Sequence, residues 1–380
     1  MDLSENRKRI DEIDDEMLKL FLERMDISKD IAAYKAEHSI PILNRARERE
    51  VLAEVAEKSG DMELYTHRFF SNIMEISRAY QASLDPKDSE LITAIKASRL
   101  PADALYPHAG RIAVQGVEGA YGQKAADRLF DRGSLLFFKS FGAVFDAVEN
   151  GLCDFGIVPI ENSSYGSVRE VFSQFQTHNV YITRATKVNV QHELLAKPGT
   201  QLSDIREIYS HEQAIGQCDS FLKSLGSKVK IIPVANTALA AKMVAESGRN
   251  DVASISSHDS GELYGLRTVR SNIMDSANNY TRFVALKKAP VVYPGANRIS
   301  IYLTTPHRPG ALYQILSQFE ALGINITKLE SVPITGSDFE FMFYIDFTAS
   351  VWDDGVLHLL DYLNKNCDIF KYLGNYPEIH

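Results

Sequence analysis

The chain has 380 residues, 45% of them hydrophobic, with 41 Lys and Arg against 50 Asp and Glu and a formal net charge of −9. At roughly 150 residues per domain this length predicts two or three domains, and the acidic balance excludes a nucleic-acid partner, which needs surplus Lys and Arg. No uncharged apolar run approaches the roughly 18 residues of a membrane helix, the charged opening MDLSENRKRIDEIDDE is no secretory signal, and Cys153, Cys218 and Cys367 make neither a disulfide framework nor a zinc site; a soluble, cytoplasmic protein is expected.

Residues 3–84 read as three helices, which makes 1–88 an all-α domain. A linker follows over 89–109, where Pro101 and Pro107 come after the short helical stretch Ser89–Ala97. From 110 to 288, short apolar runs (IAV, FGIVPI, VYITRA, KIIPVA, VASIS, FVAL) alternate with helical stretches, the pattern of an α/β domain with mostly parallel strands. A second linker spans 289–297, with Pro290, Pro294 and Gly295. The remainder, 298–380, runs strand (298–305), helix (309–321), strand (325–332), strand (339–348), helix (352–366), strand (369–376). This βαββαβ order predicts an α+β ferredoxin-like sandwich.

The first helix is too long for its own domain. From Leu3 to His38 it carries the stripe Ile10, Ile13, Met17, Leu20, Arg24, Ile27, Ile31, Tyr34, in the steps of three and four that mark a buried face. Its residues span about 54 Å at 1.5 Å each, whereas a lone domain of this size is about 25–30 Å across. The overhang therefore packs on something, most simply the same helix of a second chain, and a homodimer or higher homo-oligomer is predicted. Arg24 and Lys35 are eleven positions apart and point within about 20° of each other. Arg7 lies about 42 Å along the axis from Lys35 and shares its pocket only across an antiparallel dimer. Helix two offers Asn44, Arg47 and Glu48 on one face; helix three carries Phe70, Met74, Ser77 and Gln81, an apolar stripe that turns polar. Cations, one carboxylate and neutral donors inside a helical bundle suit a small dianion with a third polar atom.

Arg7, Arg24, Lys35, Arg47, Glu48, Ser77 and Gln81 fall at the spacing of the active-site set of the all-helical chorismate mutases, and the first 85 residues resemble that family. The resemblance implies arginines, one from the partner chain, on the two carboxylates of chorismate. It also implies Lys35 and Gln81 on the ether oxygen whose bond to carbon breaks. Arg24, Lys35 and Gln81 are then catalytic, and Arg7, Arg47, Glu48, Asn44 and Ser77 bind substrate. Asn44 stands where the family commonly has Asp. A unimolecular rearrangement needs no nucleophile, cofactor or metal, only a held conformer and stabilised charge.

In the middle domain Gly116, Gly119 and Gly122 follow a strand, but G-x-x-G-x-x-G is not the dinucleotide spacing, and a tight turn presenting helix N–H groups to a smaller anion fits better. His192-Glu193 and His211-Glu212 begin like zinc motifs, but Ala196 and Ile215 stand where a second His is required. Polar residues cluster instead at strand ends, where open α/β sheets bind ligands. They are Pro159-Ile160-Glu161-Asn162-Ser163, Ser210-His211 with Gln217, Asn236-Thr237, and Thr281-Arg282-Phe283. These motifs, with Gly116–Tyr121, resemble prephenate dehydratase from Arg111 to Lys287. The resemblance implies two α/β lobes around a cleft, as in periplasmic binding proteins, and prephenate, the product of the helical domain, as substrate. Thr281 is then catalytic beside the leaving hydroxyl, Arg282 or helix N–H groups anchor the carboxylate, and Glu161, Asn162, Ser210 and Gln217 position the ring.

In the last domain, His307-Arg308-Pro309-Gly310-Ala311-Leu312 and Leu329-Glu330-Ser331-Val332-Pro333 resemble the amino-acid-binding ACT-type regulatory domain. That implies phenylalanine as effector, held by Gly310, Ala311, Leu312, Glu330 and Ser331; Val332 stands where the family usually has Arg. The sequence thus reads as a chorismate mutase–prephenate dehydratase under phenylalanine control. A non-catalytic amino-acid sensor and a dehydratase with an inactive helical arm remain as alternatives.

Overall fold

In the computed structural model, which describes residues 2–38, 40–84, 88–276, 278–306, 309–333 and 341–379, the first three helices are α1 (Leu3–Glu37), α2 (Arg45–Ser59) and α3 (Glu63–Ser83). The chain forms two compact units, one comprising Met1–Ala94 with Leu357–Asn366, the other Ile95–Val356 with Cys367–His380.

In the first unit α3 packs on both α1 and α2. The stripe expected to be buried on α1 is exposed in the single chain: Ile10, Ile13, Met17, Leu20, Ile27, Ile31 and Tyr34 all face solvent. The face that meets α3 is a different one, Phe21, Arg24, Met25, Ser28, Ala32 and Lys35, confined to the C-terminal half. The centres of the two stripes lie about seventy degrees apart around the helix, and Arg24 belongs to both.

Among the described residues the second unit holds three sheets. A seven-stranded sheet is built from Ala109–Gln115, Arg132–Phe138, Phe155–Asn162, Gly166–Ser167, Tyr181–Asn189, Tyr280–Lys287 and Glu378–Ile379. A five-stranded sheet comprises Glu193–Ala196, Glu207–Ser210, Lys230–Pro233, Val252–Ser256 and Arg267–Arg270. The chain leaves the first sheet after Asn189 and re-enters it at Tyr280, so two crossings join the lobes. The expectation of mostly parallel strands is corrected. Tyr280–Lys287 runs antiparallel to both of its neighbours, and Val252–Ser256 is antiparallel to Glu193–Ala196, because a strand entering from the other lobe arrives in the reverse direction.

The third sheet, in the order Ile326–Pro333, Phe341–Thr348, Arg298–Thr304, Phe370–Tyr376, is wholly antiparallel; with the helices Ala311–Ala321 and Asp354–Asn366 it follows the βαββαβ element order. Its core is continuous with the dehydratase-like lobe: Phe172 and Phe175 share one buried cluster with Tyr302, Val332, Tyr344 and Tyr376. The final Glu378–Ile379 strand, absent from the sequence reading, pairs with Tyr181–Asn189. The stretches expected as linkers are also ordered: Leu100 N donates to Val292 O at 3.0 Å, and Tyr293 packs 4.7 Å from Tyr106 between ring centroids.

Candidate active sites

In the helical unit one contact joins two candidate residues directly, and three others hold candidates to their neighbours. Arg24 donates to Ser77 Oγ, joining α1 to α3, and Ser77 in turn donates to Ile73 O at 2.9 Å. Glu48 of α2 is held by Arg78 of α3. Lys35 donates to Ile42 O at 2.6 Å, and burial lowers its ammonium from the ordinary range while the nearby Glu48 carboxylate opposes that shift. Burial likewise lowers the Arg24 guanidinium. Ser28 and Ala32 lie between the two cations on that face of α1, and their small side chains leave room over about 16 Å of helix axis. Gln81, one turn beyond Ser77, is 8% exposed and its Oε1 has no hydrogen-bond partner among the described residues. A buried amide oxygen without a partner is costly unless something else meets the group.

The remaining mutase-like candidates lie apart. Arg7 projects from the exposed N-terminal stem of α1. Arg47 is exposed and pairs with Glu50 at 3.3 Å. Asn44, expected to meet substrate, caps α2 instead: its Oδ1 accepts from Arg47 N at 3.1 Å, because an N-terminal N–H has no partner inside the helix. Arg78, Ser28 and Ala32 were missed. The 4, 4, 3 spacing of Arg24, Ser28, Ala32 and Lys35 was a usable signal for the latter two; nothing local pointed to the Glu48–Arg78 pair.

Between the two lobes of the second unit lies a cavity of about 570 Å³. Thr281, Asn162 and Gln217 line it, with Asn236, Thr237, His192 and His211. The helices Tyr121–Leu129, Arg169–Thr177, Glu212–Gln217 and Thr237–Glu246 all open onto it at their N-terminal ends. A helix N-terminal end carries partial positive charge, and its first N–H groups have no partner inside the helix, the chemistry for carboxylates; Asn236 and His211 cap Leu239 N and Gln213 N. The glycine run is explained by backbone conformation and space: Gly119 has φ +88°, and a Cβ there would lie 3.1 Å from Leu263 and Ser260 of the opposite lobe.

Strand parity decides which candidates face the cavity. Thr281 and Phe283 line it, so Arg282 between them points to the opposite face of the sheet. There Arg282 is 2.5 Å from Asp346 Oδ2, 3.0 Å from Tyr376 OH and 3.3 Å from Glu378, all buried. It is no substrate anchor. Glu161 also turns away, to Lys328 at 2.8 Å. The register of Phe155–Asn162 against Tyr280–Lys287 shifts between Arg282 and Phe283, a bulge that lets Ile157, Pro159 and then Asn162 share the cavity face. Ser210, completely buried, donates to Ile255 O at 2.7 Å and does not reach the cavity; it braces two neighbouring strands.

The groups that do face inward are firmly oriented. Asn162 Oδ1 accepts from Ser164 N and Tyr165 N, both at 3.0 Å, which aims its Nδ2 at Thr281 Oγ1, 2.9 Å away, and at Asn279 Oδ1, 2.8 Å away. Thr281 therefore accepts from Asn162 and keeps its own proton for another acceptor. Gln217 Oε1 lies 2.9 Å from His192 Nε2, and burial drives His192 down to about 4, so the ring is neutral at pH 7. His192 was dismissed with the zinc motif; its position at the crossing between lobes was the signal for its place in the cleft.

Residues 112–291 match the prephenate dehydratase family and residues 6–82 the type II chorismate mutases. A relative from Arabidopsis thaliana, an arogenate dehydratase/prephenate dehydratase, is 36% identical over 70% of this chain and 72% of its own. A bifunctional chorismate mutase/prephenate dehydratase from Aquifex aeolicus is 28% identical over 99% of this chain and 98% of its own. This chain belongs to the bifunctional chorismate mutase/prephenate dehydratases. It is an enzyme of phenylalanine biosynthesis that carries both activities, the mutase in its helical unit and the dehydratase in its α/β lobes. A solved prephenate dehydratase from Arthrobacter aurescens in complex with L-Phe is 26% identical, with a TM-score of 0.63 over 70% of this chain and 89% of that one.

Proposed function

We propose that chorismate binds between α1 and α3 of the helical unit, its carboxylates on Arg24 and on Arg7 of a second copy. Lys35 and Gln81 donate to the ether oxygen as its bond stretches, and Ser77 holds Arg24 in place. The Arg24–Ser77 contact between α1 and α3 and the exposed α1 stripe support this reading: the overhanging helix has an apolar face for a partner. The exposed Arg47–Glu50 pair is worth little, so Arg47 turns inward when the dianion arrives.

In the cleft, prephenate presents two carboxylates to the helix N-termini. One leaves as carbon dioxide, its electron pair moves through the ring, and the ring hydroxyl departs taking a proton. The proton that Thr281 retains, because Asn162 fills its acceptor site, carries this assignment: it is aimed at the departing oxygen. A Thr hydroxyl donates a strong hydrogen bond there or relays a proton, and aromatisation drives the step. Asn162 and Gln217 position the ring.

The C-terminal region serves as an ACT-type regulatory domain binding phenylalanine at Gly310, Ala311, Leu312, Glu330 and Ser331; His307 and Arg308 of the same motif lie outside the described residues. The L-Phe complex of the Arthrobacter relative and the helix start at Gly310, φ +81°, support this. The whole reading is tested by following phenylpyruvate formed from chorismate with and without phenylalanine. Product forms and phenylalanine suppresses it; product insensitive to phenylalanine removes the regulatory assignment.

A further inference from the structure

One wall of the dehydratase cavity is the hairpin that runs from Glu161 through Ser167 into the helix Arg169–Thr177, and it contributes Asn162, Tyr165 and Ser167 to the lining. Its reverse side meets the strand Ile326–Pro333 of the C-terminal sheet. Lys328 Nζ lies 2.8 Å from Glu161 and 3.9 Å from Glu330, and Ser167 Oγ donates to Glu330 at 2.7 Å. The Lys328 side chain is only 10% exposed and its ammonium sits 6.0 Å from the Phe172 ring centroid. A cation thus stands between two carboxylates, one on the hairpin and one on the strand; the ammonium is buried while Glu161 keeps 38% of its side chain exposed, so water screens the joint in part.

We propose that Lys328 is a positioning residue of the dehydratase. By joining Glu161 to Glu330 it seats the hairpin against the C-terminal strand, and the seated hairpin sets Asn162, hence Thr281, in the cavity. Glu161 and Asn162 are adjacent in one strand and face opposite sides, so a displacement of the first moves the second. Without the Lys328 charge the two carboxylates repel across the joint and push the wall outward. This does not depend on the effector assignment of Glu330, and the assays are run without phenylalanine.

The test is a charge-rescue series on the full chain. Lys328→Met raises the KM for prephenate about tenfold with kcat within about twofold, since the wall is displaced while the proton donor is intact. Adding Glu161→Gln removes the repulsion and brings KM back to about threefold of wild type, a non-additive outcome diagnostic of contact. Lys328→Arg keeps the charge and the wild-type KM. A Lys328→Met enzyme with wild-type KM overturns the proposal, and so does Glu161→Gln adding to the loss. Should Lys328→Met fail to fold, Glu161→Gln alone decides: KM raised about threefold supports the joint, and an unchanged KM overturns it.

Discussion

The helical unit gathers its candidate groups on long side chains from three helices, and Arg7 stands about 42 Å along α1 from Lys35. The dehydratase cleft gathers its groups on strand ends and helix N-termini of two lobes in one chain, and its cavity is lined without a second copy. The two proposed sites therefore differ in the groups they offer an anion. The mutase candidates are full charges, Arg24 and Lys35, whose burial lowers their pKa. The cleft offers helix N-termini and oriented amides, with the buried imidazole of His192 neutral. A net charge of −9 is compatible with both, because affinity for an anion comes from a few groups in each pocket.

Lys35→Ala is the largest perturbation: chorismate turnover falls about a thousandfold while supplied prephenate is consumed at the wild-type rate. Loss of both activities in a folded protein would erase the distinction between the sites. Arg282→Met acts on stability, leaving Asp346 as a buried charge without the cation that pairs with it, while Glu378 keeps Lys187 and Arg298. Urea unfolding of the dehydratase should show a loss of about 3–5 kcal/mol, and a variant of wild-type stability with a raised KM would return Arg282 to the substrate. Thr281→Ala lowers prephenate turnover about a hundredfold and spares the mutase; equal loss in Thr281→Ser and Thr281→Ala would remove the hydroxyl from the mechanism.

The smallest effect is a pH dependence. The folded His192 titrates near 4, below the ordinary 6.5, so the unfolded chain binds its proton first as pH falls. Stability is complete above 6.5 and is lost as pH drops toward 4, by about 2 kcal/mol between pH 7 and pH 5. His192→Gln flattens that slope in urea melts at the two pH values; an unchanged slope assigns it elsewhere.

The long amphipathic helix, the alternating middle domain and the βαββαβ order were legible because hydrophobic period and turn residues are local signals. The cleft was legible as a set of strand ends, but its membership was not. Thr281 and Arg282 are neighbours in one motif, and only one of them can face the cavity. Glu161 and Asn162 repeat the lesson, and there the bulge at Arg282 and Phe283 resets the parity. No sequence pattern announced Lys328 or Asp346 as partners, since each meets its counterpart more than 60 positions away along the chain, Lys328 with Glu161 and Asp346 with Arg282.

The sequence by itself determined the order of the three regions, the cations on α1 and the length of a helix that outruns its own domain, all properties carried by spacing along the chain. Tertiary structure alone decided which side of a strand each motif residue faces, that the exposed stripe of α1 differs from the packed one, and that the C-terminal sheet shares a core with the dehydratase lobe. The reason is physical: period and charge are fixed within a few residues, whereas the facing of a side chain depends on register against partners that the chain brings in from far away.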